Sequence, residues 1–237
     1  MNIIITGASR GIGYETAKLL SAEHTVVVIA RNTSNLLKLQ KAGNSKNIFP
    51  ITFDFETGEI QSELLPEINK YVSFVDVLIN NAALLINKPF EQITSEEFKK
   101  VYKVNVFAIA ELTKCILPLM HSSSVPERIG ERCHVLNITS MGAVQGSTKF
   151  PGLSAYSSSK GAIITLTECL AEEYKEKNIS FNAIAFGSVQ TEMLSEAFPN
   201  FKASLTAKKA AEFVVQFAVT GQKYFNGKTL QMALSTP

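Results

Sequence analysis

Short runs rich in Val, Ile and other apolar residues alternate along the chain with longer stretches whose apolar positions recur at helical spacing. The runs at 2–6 (NIIIT), 24–30 (HTVVVIA), 47–53 (NIFPITF), 75–80 (VDVLIN), 133–139 (CHVLNIT), 179–185 (ISFNAIA) and 228–234 (KTLQMAL) predict strands. The stretches at 12–23, 34–42, 59–70, 95–121, 154–176 and 206–219 predict helices. Unbroken apolar runs belong to strands buried on both faces, and strand–helix alternation calls for crossover helices over a parallel sheet. The pattern predicts an α/β fold: a doubly wound, three-layer α/β/α sandwich around a mostly parallel sheet of about seven strands. No internal repeat, low-complexity tract or linker interrupts it. The polar segment 121–132 (HSSSVPERIGER) reads as a surface loop, so residues 1–237 are expected to form one domain.

Composition narrows the function. The chain is 46% hydrophobic and 19% charged, as expected of a compact soluble protein. Its net charge is +2, and its four arginines and nineteen lysines form no basic block, so nucleic acid is not an expected partner. The N-terminal MNIIITGASRG has a short apolar run and no basic flank, and no run is long enough to span a bilayer, so neither a signal peptide nor a membrane partner is expected. Cys115, Cys133 and Cys169 are too scattered for a disulfide framework, and the three histidines do not cluster. No metal site is expected, and the natural home is a reducing cytoplasm.

Ligands of doubly wound sheets bind beyond the carboxyl ends of the strands. After the first strand comes TGASRGIG (6–13). Gly7, Gly11 and Gly13 permit a tight turn, close approach of a ligand and close helix packing, and the helix beginning near Ile12 offers free N–H groups to a pyrophosphate. The second strand ends in Ala30, Arg31 and Asn32. An acidic residue there would bind a free ribose diol. Arginines at 10 and 31, with Ser9, instead favour a 2′-phosphate, hence NADP(H) over NAD(H). Asp54, ending the third strand, fits either an adenine amine or a turn cap. Asn80 and Asn81, in NNAA (80–83), fit either a ligand contact or a turn.

The order and spacing of TGASRGIG, NNAA, Asn105 in VNVFA, Ser140 in NITS and Tyr156-x-x-x-Lys160 resemble the short-chain dehydrogenase/reductase family, with its Rossmann-type fold, over nearly the full length. The resemblance implies a catalytic tetrad of Asn105, Ser140, Tyr156 and Lys160. It implies cofactor contacts from the glycine turn (Gly7, Ser9, Gly11, Ile12, Gly13) and from Asn32, with Arg10 and Arg31 at the 2′-phosphate. Asp54 and Phe55 would meet adenine, and Asn81, Ala82 and Ala83 the adjoining ribose. Gly187, Val189 and Thr191 would lie at the nicotinamide. Tyr156 and Lys160 would serve the cofactor as well as the chemistry.

A carbonyl reduction needs a proton on oxygen as well as a hydride on carbon, and tyrosine, with a pKa of about 10, is a poorly matched acid at neutral pH. Lys160 one helical turn on shares the face of Tyr156, and its charge, with that of the nicotinamide in the oxidised complex, is expected to lower the phenol pKa. The implied activity is an NADP(H)-dependent carbonyl reductase or alcohol dehydrogenase. The alternatives are an NADP(H)-binding regulator with little turnover, and an epimerisation or dehydration on the same scaffold.

Departures from the family pattern are Ala83 where Gly is usual, Phe186 before Gly187 where Pro is usual, a slightly long Ser140–Tyr156 stretch and a short C-terminal part. The substrate loop, around 190–205, is expected to give little cover. Leu84, Met141, Val144, Met193, Leu194 and Phe198 are candidate pocket residues whose apolar character suggests a small, neutral, largely apolar carbonyl compound; packing under loops fits several of them equally. The stretch 95–121 and the helix after Ser154, with its small residues Ser154, Ala155, Ser157, Gly161 and Ala162, resemble family subunit contacts, so a homodimer or homotetramer is expected.

Overall fold

The structure, a computed structural model, describes residues 1–120 and 132–234. All but the last residue of the expected surface loop at 121–132 lie outside the described residues. Seven parallel strands form one sheet: β1 (Asn2–Thr6), β2 (Thr25–Ala30), β3 (Ile48–Thr52), β4 (Val77–Asn80), β5 (Cys133–Ser140), β6 (Ile179–Phe186) and β9 (Lys228–Met232). Their order is β3-β2-β1-β4-β5-β6-β9. The chain therefore builds outward from β1 to one edge, then returns to β4 and builds to the other. The switch point lies between β1 and β4, whose register pairs Ile4 with Leu78.

The apolar runs explain the layers. Ile3 and Ile5 face one hydrophobic cluster and Ile4 the other; Val26 and Val28 oppose Val27 and Ile29 in the same way. All seven of these side chains are fully buried. Each such side chain contributes about 1.5–3 kcal/mol when removed from water. Helices α1 (Gly11–Leu20) and α8 (Ala207–Thr220) pack together over the first face. Helix α2 (Thr33–Ala42) lies beside α1 and buries Leu36 and Leu39 in the same first layer, whereas α3 (Leu65–Asn69), α5 (Ala108–Ile116) and α6 (Ser154–Glu173) belong to the opposite layer, where α4 (Ser95–Tyr102) packs on α6. No helix of the described residues is long and apolar enough to cross a membrane.

Several expected boundaries shift for local reasons. The stretch 95–121 is interrupted: α4 opens with a capping box between Thr94 and Glu97, then a wider, π-helical turn at Lys103–Phe107 precedes α5. The stretch 59–70 likewise starts as a π-helical turn at Ile60–Leu64 before α3. Helix α6 stops at Glu173, and the chain turns through Asn178 in the left-handed region (φ +55°) into β6. Three short elements were not expected: β7 (Val189–Gln190), α7 (Glu192–Ala197) and β8 (Leu205–Thr206), with β7 and β8 paired in parallel.

Polar groups between the layers are tied together. His134 Nδ1 lies 3.0 Å from the Ala218 carbonyl and Nε2 3.1 Å from Asn182 Nδ2. Those partners require a proton on Nδ1 and none on Nε2. Burial lowers the His134 pKa to about 4, so the neutral ring is the stable form. His134 thus faces the first layer, against Phe217, while neighbouring Cys133 faces the second.

Candidate active site

A cleft of about 700 Å³ opens over the carboxyl ends of the strands. Its wall includes Gly7, Ser9, Arg10, Gly11 and Ile12 after β1, Ala30, Arg31 and Asn32 at β2, and Asp54 and Phe55 after β3. Asn81, Ala82 and Ala83 after β4, Ser140 at β5, Tyr156 and Lys160 on α6, and Gly187, Val189 and Thr191 after β6 complete it. Residues as far apart as Gly7 and Thr191, 184 positions along the chain, thus meet in one place, because parallel strands deliver every following loop to the same edge.

Two of the expected catalytic and cofactor-binding residues do not line the cleft. Gly13 lies behind the turn, where an added Cβ would stand 2.6 Å from the Gly7 carbonyl oxygen; its role is packing of α1 against β1. Asn105 is fully buried in the π-helical turn. Its Oδ1 accepts from Leu84 N at 2.7 Å, and its Nδ2 donates to Leu84 O at 2.9 Å and to Ser159 Oγ at 3.0 Å. Ser159 Oγ in turn donates to Tyr156 O at 2.7 Å. Asn105 therefore clamps the β4–α4 loop to the turn of α6 that carries Tyr156.

The glycine turn is shaped for a close ligand. Gly7 has φ +69°, and an added Cβ would approach Ala82 Cα to 2.7 Å. Asn81 fixes the other side: its Nδ2 donates to Thr6 O at 3.0 Å and Gly7 O at 3.1 Å, and its backbone N–H donates to Thr6 Oγ1 at 3.0 Å. The N-terminus of α1 has no side-chain cap and no acidic residue in its first turn. Uncapped amides at the positive end of a helix, beside a turn with no side chain in the way, suit a pyrophosphate. These residues fit a nicotinamide dinucleotide. Asp54 caps its own turn, Oδ1 accepting from Glu56 N at 2.9 Å, and Asn32 caps α2 through Asn35 N at 2.9 Å.

Both arginines have carboxylate neighbours. Arg31 lies 3.9 Å from Asp54. Arg10 forms a two-pronged ion pair with Glu196 of α7, one prong being Nη2 to Oε2 at 3.0 Å. This pair shows that the segment after β6 covers the cleft more fully than expected. Met193, Leu194, Glu196, Phe198 and Phe201 all reach the wall. The short α7 is what brings them there. Phe150, Leu153, Leu85 and Val104 also line the wall, and sequence reading missed them; Phe150 lies in a loop of Lys, Pro and Gly with no periodicity to mark it. Val144, expected in the pocket, does not line it: the chain turns there, with its N–H bonded to Met141 O.

Tyr156 and Lys160 lie at the floor. The Lys160 ammonium is 5.9 Å from the Tyr156 ring centroid and donates to the Ile138 carbonyl at 2.8 Å. Burial pushes the Tyr156 pKa up to about 12 and the Lys160 pKa down to about 8. The expected lowering of the phenol pKa is therefore not present in the protein alone. The reason is geometric: the ammonium is engaged by a backbone carbonyl, so desolvation dominates the phenol. Ser140 Oγ faces the same space and accepts from Gly142 N at 3.2 Å. No group of three or more His, Cys, Asp or Glu among the described residues is placed to hold a metal ion.

Comparisons with known proteins agree with this geometry. A family model described as short chain dehydrogenase matches residues 1–201. Carbonyl reductase [NADPH] 2 of Sus scrofa is 30% identical over 185 residues, which are 78% of this chain and 70% of that protein. The chain spans 58 to 74% of the length of the first curated relatives it matches. A short chain dehydrogenase of Shigella flexneri solved with NADP superposes with a TM-score of 0.84 at 25% identity, covering 97% of this chain and 95% of that one. A 3-ketoacyl-(acyl-carrier-protein) reductase of Brucella melitensis solved with NADH shares the fold at TM-score 0.84 and 22% identity, covering 98% of this chain and 96% of that one. A tyrosine one turn before a buried lysine, in one cleft with a glycine turn, on a seven-stranded parallel sheet, in a chain matched over most of its length, places this protein in the short-chain dehydrogenase/reductase family of oxidoreductases.

Proposed function

We propose that the protein interconverts a carbonyl compound and its alcohol by hydride transfer, with NADP(H) preferred over NAD(H). The observation that carries the reading is the pairing of half-buried Tyr156 and buried Lys160 with a cleft that offers Arg10 and Arg31, but no carboxylate at Ala30. The names of relatives support it only in part, because solved structures of the same fold hold NADH as well as NADP.

When bound, the reduced nicotinamide supplies a hydride to the carbonyl carbon and leaves oxidised. The protein does the rest. Tyr156 Oη donates its proton to the carbonyl oxygen, so that oxygen ends as a hydroxyl and Tyr156 as a phenolate. Ser140 Oγ donates a hydrogen bond to the same oxygen as charge gathers on it. Lys160 turns its ammonium from the Ile138 carbonyl towards the ribose and the phenol, which stabilises the phenolate. Asn105 is a positioning residue that holds the Tyr156 turn through Ser159. The alcohol-to-ketone direction runs the same steps backwards.

The substrate end of the cleft is walled by Leu84, Met141, Phe150, Met193, Leu194 and Phe198. Such a wall suits a neutral, largely apolar carbonyl compound. Residues 1–237 act as one domain, with 190–205 as the substrate loop, in a reducing cytoplasm where Cys115, Cys133 and Cys169 stay free.

Cofactor preference is tested with Arg31→Ala. Losing a charge-assisted contact to phosphate costs about 1.5–3 kcal/mol, so NADPH affinity should fall by at least about ten-fold and NADH affinity by much less. Equal affinity of the parent protein for both nucleotides contradicts the preference.

We also propose a homodimer or homotetramer built on α4, α5 and α6. Phe107, at the turn between α4 and α5, is 58% exposed, and Phe90, just before α4, is 71% exposed. Apolar surface of this kind is costly to leave in water. Light scattering at micromolar concentration should give twice or four times the chain mass of 25.9 kDa. Monomer alone contradicts it.

A further inference from the structure

The glycine turn and the substrate loop meet across the cleft through one side chain on each. An added Cβ on Gly11 would stand 3.2 Å from Thr191 Cγ2, so the start of α7 already lies against the turn. One turn further on, Glu196 closes both carboxylate oxygens onto the Arg10 guanidinium. Arg10 holds the Glu196 carboxyl below its ordinary range. The fork geometry of this pair is the kind in which exposed ion pairs carry weight. Other contacts hold the substrate loop without reaching the turn. Asn87 Nδ2 donates to Ala197 O at 2.9 Å, and Gln190 Oε1 accepts from Ala203 N at 2.9 Å.

A guanidinium that faces a carboxylate with both prongs cannot present the same prongs to a phosphate. A phosphate arriving there also meets like charge from Glu196. We propose that Glu196 is a cofactor-discriminating residue that competes with the 2′-phosphate for Arg10, so that the phosphorylated dinucleotide releases α7 from the glycine turn and its unphosphorylated counterpart does not. The inference rests on the cofactor reading above, because it takes Arg10 as a 2′-phosphate ligand. It adds a second consequence of the 2′-phosphate: besides affinity, the phosphate sets whether the substrate loop is latched.

The test is Glu196→Gln, with Glu192→Gln as control. Glu192 removes the same charge nearby, its carboxylate being placed beside Gly11 rather than on Arg10. Dissociation constants for NADPH and NADH are read from the nucleotide fluorescence, in a chain without tryptophan. In Glu196→Gln, NADPH should bind about three- to ten-fold more tightly, with NADH changed by less than about two-fold. Glu192→Gln should move both nucleotides alike. Hydrogen exchange of the α7 amides, with no nucleotide added, should be faster in Glu196→Gln than in the parent.

An unchanged NADPH-to-NADH ratio in Glu196→Gln, with normal NADPH binding by the parent, overturns the competition alone. So does an equal shift of that ratio in Glu192→Gln. Unchanged α7 exchange overturns the latch. A parent protein that binds neither nucleotide overturns the cofactor reading and this inference with it.

Discussion

Tyr156→Phe should reduce turnover by at least about 10²–10⁴-fold, the range expected for loss of general acid catalysis, while NADPH affinity stays within about two-fold of the parent. The ring remains, so the packing of α6 on the cleft floor is kept. Only the phenolic hydroxyl is lost, and with it the transferable proton. The Tyr156 hydroxyl makes no contact on which the fold depends among the hydrogen bonds of the described residues; the bond from Ser159 goes to its backbone carbonyl. Steady-state turnover and nucleotide fluorescence on the same preparation separate the two effects. Parental turnover in this variant would show that another group is the acid.

Lys160→Met should harm both turnover and NADPH binding, since the lysine is proposed to serve the ribose and the phenol together. It should also change the way stability depends on pH. The folded-state pKa of Lys160 is lowered to about 8 from the model-compound value of 10.5, by burial. Below pH 8 the lysine is protonated in both folded and unfolded states, and the folded state bears the full cost of a buried charge. Between pH 8 and 10.5 the folded state sheds that proton while the unfolded state keeps it. The unfolded state then binds more protons, so stability rises with pH. From pH 8 to 9, before most tyrosines ionise, the parent should gain about 1 kcal/mol relative to Lys160→Met. Urea unfolding of both proteins across that range measures it. Parallel stability curves would mean that Lys160 is not desolvated as its surroundings indicate.

The central strands were legible because they are buried on both faces. A run such as Ile3-Ile4-Ile5 has no polar position to spare, and its neighbours at 26–29 obey the same demand. The glycine turn was legible because positive φ at Gly7 and Gly11 leaves little choice of residue. Tyr156 and Lys160 were legible as a pair because one helical turn relates them.

What was not legible depends on distant contacts. The helical pattern at 95–121 gives no sign of the π-helical turn, which surrounds an Asn105 whose side-chain partners are Leu84 and Ser159, 21 and 54 residues away. The cover from α7 was hidden because a six-residue helix is too short for periodicity to reveal. The raised Tyr156 pKa of the chain without cofactor was hidden for a similar reason. Sequence spacing puts Lys160 on the right face but cannot show that the Ile138 carbonyl takes its ammonium.

The Arg10 contact adds a related lesson. Its partner in sequence terms was a phosphate; its partner in the folded chain is a carboxylate 186 residues away. Both statements are compatible only if the guanidinium changes partners, which is why cofactor affinity and loop movement are expected to be linked.

The central claim is that this chain moves a hydride from NADPH to a carbonyl carbon, with Tyr156 supplying the proton. The most direct measurement uses NADPH deuterated at the transferable nicotinamide position, incubated with the parent protein and a panel of neutral apolar ketones and aldehydes. Mass spectrometry of the products reads the result. The account predicts an alcohol carrying one deuterium on the carbinol carbon from the parent, and none above background from Tyr156→Phe at equal NADPH occupancy. Tight NADPH binding by the parent with no labelled alcohol from any member of the panel would contradict it, and would make the protein a reader of the cofactor rather than a user of it.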